Sequence, residues 1–117
     1  MKDNIIQKKA FLFSLEVIKL FQELQKQKEF IISKQLLRSG TSIGANIEEA
    51  IGSESKKDFL HKMSISKKEA MEARYWLKLL QESNLTNIDV QKYLQEIENI
   101  INILVRITKT TSKKLGG

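Results

Sequence analysis

Apolar residues recur along almost the whole chain at alternating intervals of three and four. The first such series is Ile6, Ala10, Phe13, Val17, Leu20 and Leu24. That spacing keeps every member on one side of an α-helix. It predicts a first helix over about 5–27, with Phe11, Leu15 and Ile18 widening the stripe toward the core. Leu36, Gly40, Ile43, Ile47 and Ala50 predict a second helix over 33–51, with Ser33 as its N-cap. The third, over 55–83, carries Phe59, Met63, Ser66, Ala70, Ala73, Leu77 and Leu80. Ser55 and Asp58 form a capping-box-like start, and Asn84 suits a left-handed stop. The fourth, over 87–109, opens on a second box, Thr86 with Asp89, and carries Val90, Tyr93, Ile97, Ile100, Leu104 and Ile107. In "TKTTSKKLGG" the period lapses, and the end is expected to fray.

Short connections make successive helices antiparallel. The expected fold is therefore all-α, an up-down-up-down four-helix bundle forming one domain over 1–117. Absence of proline agrees with long helices. Absence of cysteine removes disulfides, thiolate metal sites and thiol nucleophiles. The apolar run at the start is too short for a signal peptide, and none approaches the ~20 residues that span a bilayer. A cytoplasmic protein without a membrane role is expected. A formal charge of +6 favours polyanionic partners.

One stretch departs from ordinary amphipathic helix: "RSGTSIGANIEEA", Arg38–Ala50. Two glycines and three hydroxyl residues interrupt the pattern, yet the apolar phase runs straight through, so the stretch reads as helical. Each glycine costs about 1 kcal/mol relative to alanine inside a helix. Gly40 and Gly44, four apart, clear bulk from one face and let a neighbouring helix approach closely. Arg38, Glu48 and Glu49 exclude a membrane dimer face, and no strand or G-K-[ST] accompanies the glycines as a phosphate cradle requires. Beside them Arg38, Ser42, Ala45, Asn46 and Glu49 form a polar stripe. It reads either as a solvated face or as a hydrogen-bonded interface in which Asn46 and Glu49 meet backbone or arginine donors from another helix.

"LLRSGTSIGANIEEA", followed by "KKDFLHKMSISKKEAMEARYWLKLL", resembles the family of small four-helix-bundle proteins encoded by intervening sequences in bacterial 23S ribosomal RNA genes. That family is similar to the accessory variability determinant of diversity-generating retroelements. The resemblance runs from about Phe11 to Ile107. Its most specific part is R-x3-S-I-x2-N-I-x-E, matched by Arg38, Ser42, Ile43, Asn46, Ile47 and Glu49. Many members carry proline and a final glycine where this chain has Gly44 and Ala50, a departure that bears on local helix geometry. The resemblance implies a ring-like homopentamer with a basic surface. In the retroelement branch it implies binding to nucleic acid and to a reverse transcriptase. For most members the role is unassigned.

The third helix bears a second stripe: Ile65, Glu69, Glu72, Trp76 and Leu79. Such a stripe either disappears into a broad core or anchors a subunit interface; the resemblance favours the interface. Glu69 and Glu72 are rim charges or partners for a basic side chain such as Arg38. Away from them Lys57, His61, Lys67, Lys68, Arg74 and Lys78 collect positive charge around Tyr75. That set suits phosphate contacts with base stacking, or is a lysine-decorated solvent face. Arg106, Lys109, Lys113 and Lys114 add either a mobile basic arm or an inert tail.

Catalysis finds little footing. His61 is the only histidine and lacks triad partners at a diagnostic spacing, and no Glu-x-x-His pair is present. Adjacent Glu48 and Glu49 point to different sides of a helix, so they form no acid/base pair. Neither enzyme activity nor a metal or cofactor is expected. Two functions remain: a homo-oligomer whose basic surface holds RNA or DNA, and a scaffold that docks a partner such as a reverse transcriptase.

Overall fold

The computed structural model describes residues 2–116. Four α-helices follow one another: α1 Lys2–Lys26, α2 Ile32–Ile51, α3 Lys56–Ser83 and α4 Gln91–Lys114. Each packs on the next in sequence, and α1 closes on α4 along the thinnest seam. The result is an up-and-down bundle measuring 48 × 22 × 22 Å. The four apolar series form its core. All their members are buried except Phe59 and Ile107, which are half-buried against it.

Gly40 and Gly44 lie helical within α2, as the unbroken apolar phase requires. Their duties differ. A methyl group at Gly40 would stand 3.1 Å from both Val17 methyls, whereas at Gly44 it would meet Ser14 and Ala10 at 3.6–3.7 Å. Only Gly40 is demanded by the α1 approach. The hydroxyls of Ser39, Thr41 and Ser42 turn back onto carbonyls of their own helix, Gln35, Leu37 and Arg38 respectively, at 2.6–2.9 Å. Across helices, buried Ser66 donates to the Ile43 carbonyl at 2.9 Å and fastens α3 to α2.

Several helix ends differ from the sequence-based expectation. Ser33 is not the N-cap of α2. The Glu29 carboxylate accepts from the backbone N–H groups of Ile31, Ile32 and Ser33 at 3.0, 3.0 and 2.6 Å, satisfying the orphan donors from outside the helix. Ser33 is buried and donates to the Glu29 carbonyl instead. Thr86 and Asp89 form no capping box. Each accepts from the N–H two residues ahead, Ile88 and Gln91, so the chain stays irregular and α4 starts four residues later than expected. Ser55 accepts from Asp58 N–H at 3.0 Å, and Asn84 stops α3 with φ 60°, both as the sequence predicts. The fourth helix does not fray at 109. It continues to Lys114, and Thr108 within it is buried, its hydroxyl donating back to the Leu104 carbonyl at 2.9 Å.

The largest correction concerns α1. Phe11, Leu15 and Ile18 do not widen the core stripe: they are 62 %, 43 % and 39 % exposed. At 100° per residue their mean direction lies about 140° round the helix from that of Ile6, Ala10, Phe13 and Val17, outside the core stripe. With Leu12 and Ile5, also exposed, they give α1 a second apolar face turned to solvent.

Candidate nucleic-acid interface

Antiparallel packing brings the start of α1, the end of α2, the start of α3 and the end of α4 to one end of the bundle. Residues 2–13, 43–68 and 103–116 together hold twelve of the twenty lysines and arginines but only five of the fourteen acids. This end therefore carries more than the entire +6 of the chain, and the opposite end holds slightly more acid than base. Ion pairing follows the same division. Lys19 and Lys92 pair with Glu16, Lys26 with Glu23, Arg38 with Glu69 and Glu72, and Arg74 with Glu98, all in the balanced half. In the basic half, among the described residues, the one ion pair is Lys62 with Glu49 at 2.7 Å.

The seven α3 residues expected to form one basic stripe fall on two lines. Lys57, Lys68 and exposed Tyr75, eleven and seven residues apart, face outward together with His61. The Tyr75 ring stands edge-on to Trp76, with centroids 5.1 Å apart. Lys67 and Arg74 face α4. Arg74 is paired there with Glu98 at 2.6 Å. Lys67 instead lines an open groove between α3 and α4. Leu60 and Ser64 line it from α3, and Val105, Thr108, Lys109 and Ser112 from α4. Lys78 lies exposed beyond the Arg74 pair. No carboxylate lines the groove.

The residues of the R-x3-S-I-x2-N-I-x-E core divide between contacts across the bundle and bonds within α2. Arg38 reaches across to α3 and contacts Glu69 at 3.2 Å and Glu72 more closely still. Glu72 also accepts from the Trp76 indole N–H at 2.9 Å. These bonds hold the Glu72 carboxyl below its ordinary range, Arg38 contributing first and Trp76 second. Arg38 is in turn pushed above its own range, chiefly by Glu72. Glu69 and Glu72 are thus the partners of Arg38. The other members make shorter connections. Asn46 donates to the Ser42 carbonyl of its own helix at 2.8 Å, and Glu49 meets Lys62 rather than an arginine. Ile43 and Ile47 are fully buried. Ile65, Trp76 and Leu79 are half-buried, and Trp76 rests partly on the core.

Two features escaped the sequence reading. The groove is hidden from the sequence because three of its seven lining residues belong to α3 and three more, Thr108, Lys109 and Ser112, to the segment expected to fray. Its signal was nonetheless present: Leu60, Ser64 and Lys67, then Val105, Thr108, Lys109 and Ser112, each spaced by three or four or adjacent, with no acid among them. The solvent-facing stripe of α1 reads as core in the sequence because a periodic apolar series says nothing of which side meets its own chain. Among the described residues no cluster of three or more potential ligands is placed to hold a metal ion, and no helix is long and apolar enough to cross a membrane.

None of the functionally curated proteins matches the chain. A solved structure from Bacteroides thetaiotaomicron, a protein of unknown function from the S23 ribosomal protein family, is 42 % identical. It covers 93 % of this chain and 99 % of its own, with a TM-score of 0.86. The model of the 23S rRNA-intervening sequence protein matches residues 2–106, which takes in all of α1 to α3 and most of α4. Bundle, motif and match agree, and the chain belongs to the 23S rRNA-intervening sequence protein family.

Proposed function

We propose that this protein is a non-enzymatic, cytoplasmic binding module that assembles into a homo-oligomer and holds RNA or DNA through its basic end. The observation that carries the reading is the uneven charge: twelve basic residues against five acids at one end, with ion pairs concentrated at the other. A surface that keeps its lysines out of internal ion pairs can release the counterions of a nucleic-acid backbone. Titrating salt against a labelled RNA and a DNA duplex tests this. Log affinity should fall linearly with log salt, with a slope of magnitude about 3 or more. Affinity that is flat from low to physiological salt sinks the proposal.

Assembly is supported by two apolar surfaces on different sides of the bundle. One is the outer face of α1, with Phe11, Leu12 and Leu15; the other is the half-buried line of Ile65, Trp76 and Leu79 on α3. A contact between unlike faces is heterologous and closes into a ring when the rotation allows. That arrangement suits the homopentamer implied by the family resemblance. The α1 face also favours a second reading, a scaffold that docks a partner such as a reverse transcriptase. A reverse-transcriptase gene beside this one would support that reading; location inside a ribosomal RNA gene would count against it.

A further inference from the structure

We infer that the groove between α3 and α4 is a seat for a single nucleic-acid strand, with Lys67 and Lys109 each holding a backbone phosphate. The inference rests on the reading of the basic end as a nucleic-acid surface and says where on that end the ligand lies. The chemistry of its lining and its place in the bundle support it. The groove pairs one lysine from each helix with the hydroxyls of Ser64 and Ser112, a donor set matched to phosphate oxygens. Its remaining lining includes Leu60 and Val105, the latter 42 % exposed. Exposed aliphatic surface between two lysines is unfavourable in water but offers a sugar or an unstacked base an apolar contact. A single strand can lay an unpaired base on such a floor, whereas a duplex keeps its base faces stacked on one another.

Width points the same way. Packed helices lie about 8–10 Å apart axis to axis. A groove between them admits one strand and no more than the rim of a duplex. Its course is bounded as well. Toward the balanced half the Arg74–Glu98 pair stands across the α3/α4 seam, and Glu98 is the first carboxylate met from this direction on α4. A strand entering from the basic end meets lysine and hydroxyl first, and an arginine already held by a carboxylate where the seat ends.

The test removes equal charge inside and outside the groove. In one variant Lys67→Gln is combined with Lys109→Gln. In the other Lys9→Gln is combined with Lys56→Gln, which lie at the same end but do not line the groove. Both are measured by fluorescence anisotropy with a short labelled single-stranded RNA and with its duplex, across a salt series. Circular dichroism should be unchanged, since all four lysines lie outside the buried core. The groove pair is expected to lose about tenfold in single-strand affinity and to lower the salt slope by about 1.4, the share of two phosphates on a single strand. The outside pair should lose less than about threefold, and duplex binding should be weaker and indifferent to which pair is changed. Equal losses from both pairs, or no loss from the groove pair, overturn the groove while leaving the basic end as the binding surface. Equal affinity for duplex, lost on the same substitutions, overturns the single strand as occupant. A wild-type protein that binds neither form removes both the groove and the reading beneath it.

Discussion

At the scale of single residues, the two glycines of α2 separate propensity from packing. Both sit in a helix interior, where glycine costs backbone entropy relative to alanine. Gly44 has ordinary clearance, so Gly44→Ala should stabilise the protein by about 0.5–1 kcal/mol. Gly40 faces Val17, which is fully buried and stiff at χ1 because it is β-branched. Gly40→Ala should therefore cost about 1 kcal/mol despite its better propensity. Urea unfolding of both variants gives the order directly: Gly44→Ala above wild type, wild type above Gly40→Ala. Spacing revealed that both glycines share a face, but not that the approach tightens at one of them. That distinction depends on which α1 side chain lies opposite. The motif arginine shows the same limit. Its polar stripe was legible in Arg38, Ser42, Asn46 and Glu49, yet Glu69 and Glu72 became its partners only once α3 lay alongside.

At the scale of elements, the start of α2 rests on one carboxylate. Burial pushes Glu29 upward, but its hydrogen bonds from Ile32, Ser33 and Ile31 outweigh that effect and leave it below the ordinary carboxylate range. A carboxylate depressed in the folded state stabilises fully above its unfolded value, about 4.3, and ceases to do so as pH falls through the folded value. Glu29→Gln should lose about 1 kcal/mol at neutral pH. Its stability should also fall less than that of wild type as the solution is taken from pH 5 toward pH 2. Parallel acid curves for the two proteins would show that Glu29 does not cap α2. The cap was missed because a serine at the expected position is the stronger local signal; a glutamate three residues before the helix depends on the turn that carries it. That turn places Lys28 at φ 63°, a conformation no periodicity reports. At the far end of α4 the apolar period lapses from Thr108 on, yet that residue is buried and the helix runs to Lys114.

At the scale of the whole molecule, the architecture was legible because the four apolar series fix four faces and the short connections fix their order. What they left open was the outside. If α1 of one copy meets the Trp76 line of the next, Leu15→Glu and Trp76→Ala should each abolish assembly with helicity retained. Mixed in equal amounts they should recover one contact, since each still offers the face the other lacks. Light scattering should then show a species of two chains and nothing larger. Recovery of the full assembly on mixing, or a wild type that is monomeric at micromolar concentration, would refute the unlike-face contact.

A rod 48 Å long with its charge gathered at one end is also an electric dipole aligned with its own axis. Cyclic symmetry gives every subunit the same tilt to the ring axis. Copies standing along that axis must then crowd their positive ends onto one rim, while antiparallel neighbours would let them cancel. Closing such a ring works against its own field, and the opposition weakens as salt or a polyanion screens it. A nucleic acid lying across the rim would act as the counterion that holds the ring shut, so ligand and assembly would each strengthen the other.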